Sequence, residues 1–163
     1  MKKIVLAIIA VAAIAGIALW QLPSDAHTAP NVTFTTLTGE QLTTEDLRGK
    51  VVLVKFWATS CVTCVAQMPD NIQNYNKLKD RGYDTIAVAM QYDPPNYVKN
   101  FAESRELPFK VVVDASGDIA RAFGDVRLTP TAFLIDKQGN IIRRYLGNYD
   151  KDAFLATVDK APG

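Results

Sequence analysis

Cys61 and Cys64 are the residues of this 163-residue chain best suited to chemistry, and it has no other cysteines. A thiolate is a strong nucleophile, while a free thiol titrates near ~8.5. At the start of a helix a sulfur lies near unpaired backbone N–H groups and the positive end of the helix dipole, and both favour the thiolate. Such surroundings lower the titration point to between ~3.5 and ~7.5. Cys61 falls where the apolar segment Val51–Trp57 gives way to a helical pattern, so it is expected to be the attacking thiolate. Cys64 follows one helical turn later and can resolve the mixed disulfide that Cys61 forms.

Other uses of the pair fit the same residues less well. A staple closing so small a loop constrains little of the unfolded chain. Zinc usually takes four nitrogen or sulfur ligands, yet the single histidine, His27, stands far along the chain from the cysteines. Covalent haem attachment needs histidine directly after the second cysteine, and Val65 occupies that place. No metal site and no cofactor are therefore assigned. A copper-binding or copper-delivery module, holding its ion on the two thiols, stays open as the competing function.

Several elements must position these sulfurs. Lys2 and Lys3 precede an unbroken apolar run from Ile4 to Trp20, a length at the short end of the membrane-spanning range. Residues 1–22 are expected to form a signal-anchor or signal peptide, with residues 4–20 in the membrane and the rest of the chain exported. Residues 23–30 read as a linker and residues 31–163 as one domain, long enough to bury a core. Without Lys2 and Lys3 the chain carries 16 basic against 17 acidic residues, a net charge of −1. That balance argues against a nucleic-acid partner.

Within the domain, Val32–Phe34 reads as a first strand, and Thr43 or Thr44 caps a short helical turn closed by Gly49. Val51–Trp57, apolar except for Lys55, has the pattern of a strand buried on both faces. A long helix is expected from Cys61 to about Arg81, kinked at Pro69. Tyr83–Met90, Phe109–Val113, Thr131–Asp136 and Ile141–Leu146 read as strands, the last two joined by a turn at 137–140. Helices are expected over 96–105, 118–123 and 150–158. Strands alternating with helices, then a hairpin and a closing helix, give an α/β fold with a central mixed sheet flanked by helices.

Phe56–Trp57–Ala58–Thr59–Ser60–Cys61–Val62–Thr63–Cys64, followed by Met68–Pro69, resembles the active-site segment of thioredoxin-like proteins, and most of all their TlpA/ResA branch. Leu37–Thr38–Gly39, Leu47–Arg48–Gly49–Lys50–Val51–Val52–Leu53–Val54, and Thr129–Pro130–Thr131–Ala132–Phe133–Leu134–Ile135–Asp136 with Gly139 match in the same order. The resemblance implies a thioredoxin-like fold with an extra strand–helix insertion over Thr85–Val113, and a thiol–disulfide oxidoreductase. It implies a cis Pro130 beside the dithiol, with Thr129 offering backbone groups to an extended substrate and Trp57 packed near the sulfurs as a further substrate contact.

Partners follow from the same resemblance: protein thiol and disulfide clients, with a membrane thiol-electron transporter as donor. So does a location on the periplasmic side of the bacterial inner membrane, with the chain acting as a reductant in cytochrome c maturation or copper-protein assembly. Two positions depart from the pattern. Thioredoxins carry a buried aspartate where this chain has Lys55, and many members of the branch carry a glutamate where it has Gln67. No proton-handling residue is carried over, and Lys55 is read either as buried or as snorkelling to solvent at a strand end.

Overall fold

The computed structural model describes residues 27–162. The expected membrane segment 4–20 and the first half of the linker lie outside them. Among the described residues no helix is long and apolar enough to cross a membrane.

Among the described residues, eight strands are interspersed with five α-helices: β1 (His27–Thr28), β2 (Thr33–Thr35), β3 (Gln41–Thr43), β4 (Val51–Trp57), α1 (Val62–Ala66), α2 (Met68–Leu78), β5 (Tyr83–Ala89), α3 (Pro95–Ser104), β6 (Lys110–Val113), α4 (Asp118–Ala122), β7 (Thr131–Ile135), β8 (Asn140–Leu146) and α5 (Lys151–Asp159). Six strands form one sheet in the order β1-β8-β7-β4-β5-β6, while β2 and β3 make a separate antiparallel pair. Strand β4 runs parallel to β5 and antiparallel to β7. This is the thioredoxin-like mixed sheet that the sequence implied.

Each residue of β4 is buried, as a strand between two neighbours and two covering layers must be. Its side chains alternate between the layers. Val52, Val54 and Phe56 enter a core with Phe34, Val88, Phe123 and Phe133. On the other face Leu53 packs with Leu78, Tyr83 and Phe154, and Trp57 with Cys64, Met68 and Val98. The Phe56 ring meets Phe123 edge-on at 5.5 Å and Phe133 at 6.0 Å. The segment 85–113, expected to hold an inserted strand–helix unit, contains α3 and β6, with β6 added parallel to β5 at one edge.

Local chemistry explains where the boundaries differ from the sequence expectations. The expected single helix from Cys61 to Arg81 is two helices and a 3-10 turn. Helix α1 ends at Ala66, and Pro69 lies in the first turn of α2, where its missing N–H costs nothing. The 3-10 turn Lys79–Arg81 then closes on Gly82, whose φ of 78° is left-handed. Thr44 is the N-cap of the turn Glu45–Leu47 without a side-chain bond to it; the Thr43 hydroxyl one residue earlier accepts from Asp46 N, and the Asp46 carboxylate accepts from Thr43 N at 2.7 Å. Helix α5 begins one residue later than expected because Asp150 is its cap, accepting from Ala153 N at 2.7 Å.

The linker reading also needs correction at its second half. His27–Thr28 pairs with Asn140–Ile141 of β8, and Ala29 is buried against the core. Backbone pairing at a sheet edge needs no particular side chain, so composition gave no sign of it.

Phe56→Ala is expected to cost about 3–5 kcal/mol, since it empties a packed aromatic site. The urea midpoint of the oxidised protein measures this.

Candidate active site

Strand β4 ends at Trp57, beneath buried neighbours, and the chain crosses to α1 through Ala58, Thr59 and Ser60. Cys61 is the N-cap of α1: it is extended, with φ −86° and ψ 101°, and its sulfur accepts from Cys64 N at 3.2 Å. One helical turn brings Cys64 beside it, and the two sulfurs are joined as a disulfide with Cα atoms 5.2 Å apart. Burial separates the two. Cys61 is partly exposed, whereas Cys64 is 0% exposed. A partner sulfur can therefore approach only Cys61.

Asp93 sets the loop that presents Cys61. Its carboxylate is buried, and it accepts from both Thr59 N and Thr59 Oγ1 at 2.6 Å each. Bonds to an ionised acceptor are the strong kind, so the clamp joins the loop before the dithiol to the segment that opens α3. Trp57 O and Met90 N add a backbone bond of 3.0 Å between the same two regions. Asp93 reads in the sequence as part of a chain-breaking Asp93–Pro94–Pro95. No local pattern connects it with Thr59, which lies 34 residues earlier.

The other expected site residues take distinct places. The Thr129–Pro130 peptide is cis. Pro130 is buried and Thr129 partly exposed, and the Thr129 hydroxyl lies 3.3 Å from the Tyr92 hydroxyl. Val62, Tyr92, Leu128 and Leu146 are large apolar side chains left exposed, next in sequence to Cys61, next to Thr129, or opposite Thr131 in the sheet. Trp57 needs correction as a substrate contact. Its side chain is wholly buried, with its ring 5.2 Å from that of Phe101, so it backs the dithiol from inside the core.

Lys55 does not snorkel. It is 1% exposed, and its Nζ donates to Gln67 Oε1 at 2.6 Å. Burial holds its amine down to about 7, with the nearby Asp70 carboxylate pulling the other way. Gln67 in turn donates from Nε2 to Gly147 O at 3.1 Å and to Asn148 Oδ1 at 2.9 Å. Gly147 N then donates to Pro130 O at 2.8 Å. The two positions that depart from the thioredoxin pattern thus bond to each other. Among the described residues no cluster of three or more His, Cys, Asp or Glu side chains is arranged to hold a metal ion.

Asp93→Ala is expected to leave the Thr59 N–H and hydroxyl without their acceptor, at a cost of about 1–3 kcal/mol. It should also slow exchange at Cys61 several-fold by loosening the loop. Urea unfolding measures the first effect, and the initial rate of reaction with reduced glutathione measures the second.

Comparison with known proteins agrees with this geometry. A family model described as Redoxin matches residues 24–161. The chain is 37% identical over 124 residues to "Thiol-disulfide oxidoreductase ResA" of Bacillus thuringiensis subsp. konkukian, covering 76% of this chain and 70% of that one. Its identity with the protein of the same name from Bacillus anthracis is 36% over 132 residues, covering 81% and 75%. Among solved structures it is similar to a thiol:disulfide interchange protein of the thioredoxin family from Chlorobium tepidum, with TM-score 0.75 and 28% identity, covering 85% of this chain and 99% of that one. The chain belongs to the redoxin family, and its activity is thiol–disulfide oxidoreduction through Cys61 and Cys64.

Proposed function

We propose that the protein is a reductant of protein disulfides on the outer face of a bacterial inner membrane, held there by residues 4–20. The observation that carries the division of labour is the burial of Cys64 behind a partly exposed Cys61. In the reduced protein the Cys61 thiolate attacks one sulfur of a client disulfide. The client S–S bond breaks, a Cys61–client bond forms, and one client sulfur leaves as thiolate. Deprotonated Cys64 then attacks the Cys61 sulfur, releasing the second client sulfur and forming the Cys61–Cys64 disulfide. Two electrons pass to the client, and the dithiol's two protons reach the client thiolates through solvent. A donor dithiol reverses these steps on the protein and restores its thiols.

Binding precedes that exchange. Thr129, ahead of the cis Pro130, offers the backbone groups with which an extended client can pair without a demanding sequence. Val62, Tyr92 and Leu128 supply exposed apolar area beside it. The clients that suit such a reductant are the haem-binding cysteines of an apocytochrome c or the cysteines of a copper-delivery protein. Its donor is a membrane thiol-electron transporter.

The full chain carrying Cys64→Ala is expected to accumulate mixed disulfides at Cys61, which mass spectrometry of the trapped adducts identifies. Adducts with such clients, together with a wild-type potential nearer ~−270 mV than ~−120 mV, support a reductant. A dithiol that is oxidised in cells with a potential at the upper end reverses the direction. A mature N-terminus at His27 would remove the membrane anchor.

A further inference from the structure

Lys55 is the only buried cation among the described residues, and the exchange chemistry of the two cysteines makes no use of it. Its surroundings are specific. Alternation along β4 places Leu53, Lys55 and Trp57 on one face of the sheet, the face on which Trp57 packs with Cys64 and Met68. The amine ends at Gln67, which lies between Cys64 and Met68 along the chain and is at once the C-cap of α1 and the N-cap of α2. Gln67 spends its amide on Gly147 and Asn148, and Gly147 holds the carbonyl of Pro130.

We propose that Lys55 is a positioning residue for dithiol exchange: through Gln67 it braces the α1–α2 junction against the loop beside Pro130, and its charge favours a thiolate when the disulfide opens. This rests on the exchange activity of Cys61 and Cys64 and not on its direction. Opening the disulfide takes two electrons from a donor dithiol, which becomes a disulfide, and two protons. With one proton on a sulfur and the other on the Lys55 amine, the second sulfur stays a thiolate. In a site with little water a unit charge acts over a longer range than at the surface.

Few other charges compete. From α2, Asp70 faces the amine but is itself paired with Lys151 of α5 at 2.9 Å. After β8, the Tyr149 ring lies 5.9 Å from Nζ, and burial pushes its hydroxyl up to about 12, so it is neutral. Tyr145 stacks on Tyr149 at 4.7 Å. The strand neighbours of Lys55 are Ala87 and Ala132, which carry no charge.

The test is the equilibrium of wild type and Lys55→Met with glutathione between pH 5 and pH 10. Near neutrality the wild type should favour its reduced form about tenfold more than the variant, or about 30 mV. The gap should close towards pH 10, where the lysine is neutral in both redox states. A gap that does not vary with pH, or no gap, overturns the proposal, because a merely structural role shifts the equilibrium uniformly. A wild type that does not equilibrate with glutathione at all would strike at the exchange reading instead.

Stability gives an independent readout. The folded lysine titrates near about 7, below its unfolded value of ~10.4. The penalty for burying the charge is therefore full below pH 7 and is relieved as pH rises towards ~10.4. The oxidised wild type should gain stability relative to Lys55→Met across that window, and a flat difference counts against a buried charge. Lys55→Gln is a second neutral variant should Lys55→Met not fold.

Discussion

Strand β4 is enclosed on all four sides, by β5 and β7 within the sheet and by apolar layers above and below. A strand so confined has a fixed direction, and whatever follows its last residue emerges at one place. That place is where Cys61 begins α1. Seven consecutive buried residues are thus spent on aiming one sulfur, and the long-range bonds around it refine the aim. Asp93 fixes the loop between strand and helix from the α3 side, and Gln67 fixes the far end of α1 from the β8 side. The dithiol sits between two braces anchored in different parts of the chain.

Those braces also account for what could be read in advance and what could not. The Cys61–Cys64 spacing, the apolar run ahead of it and the turn at Gly139 are local patterns, and each corresponds to an observed element. The cis bond before Pro130 was implied by likeness, since a lone X–Pro dipeptide does not declare its isomer. The break at Gln67 was hidden because a proline eight residues into a helical stretch fits a kink as well as a restart; Gln67 at the junction bonds the Lys55 and Asn148 side chains and the Gly147 carbonyl, all distant in sequence. Asp93 was hidden for the same reason. The likeness makes Trp57 a substrate contact, whereas its place on the inward face of a strand whose neighbours are all buried puts it in the core.

Lys55 shows how a substitution that breaks a local rule can be absorbed. A lysine within an apolar strand normally lifts its amine to water along its own stem, but here the residue stays buried. The polar group meets an amide in its place, and that amide is satisfied in turn by a loop carbonyl and an asparagine. Every bond in the sequence Lys55–Gln67–Gly147–Pro130 has a definite partner. At its inner end the network reaches the buried amine, which needs such a partner.

The two outer strands of the sheet carry a further consequence. An open sheet edge is a template for pairing with another chain. Strand β8 is covered at one end by the two residues of β1 and presents exposed Arg143 and Arg144 along the rest. At the opposite side β6 is covered by the bridge from Thr36 to Val112 and the bond from Leu37 N to Val111 O. Short, irregular pieces of chain thus act as bumpers on both flanks. They shield the two flanks of the sheet from pairing with a foreign backbone.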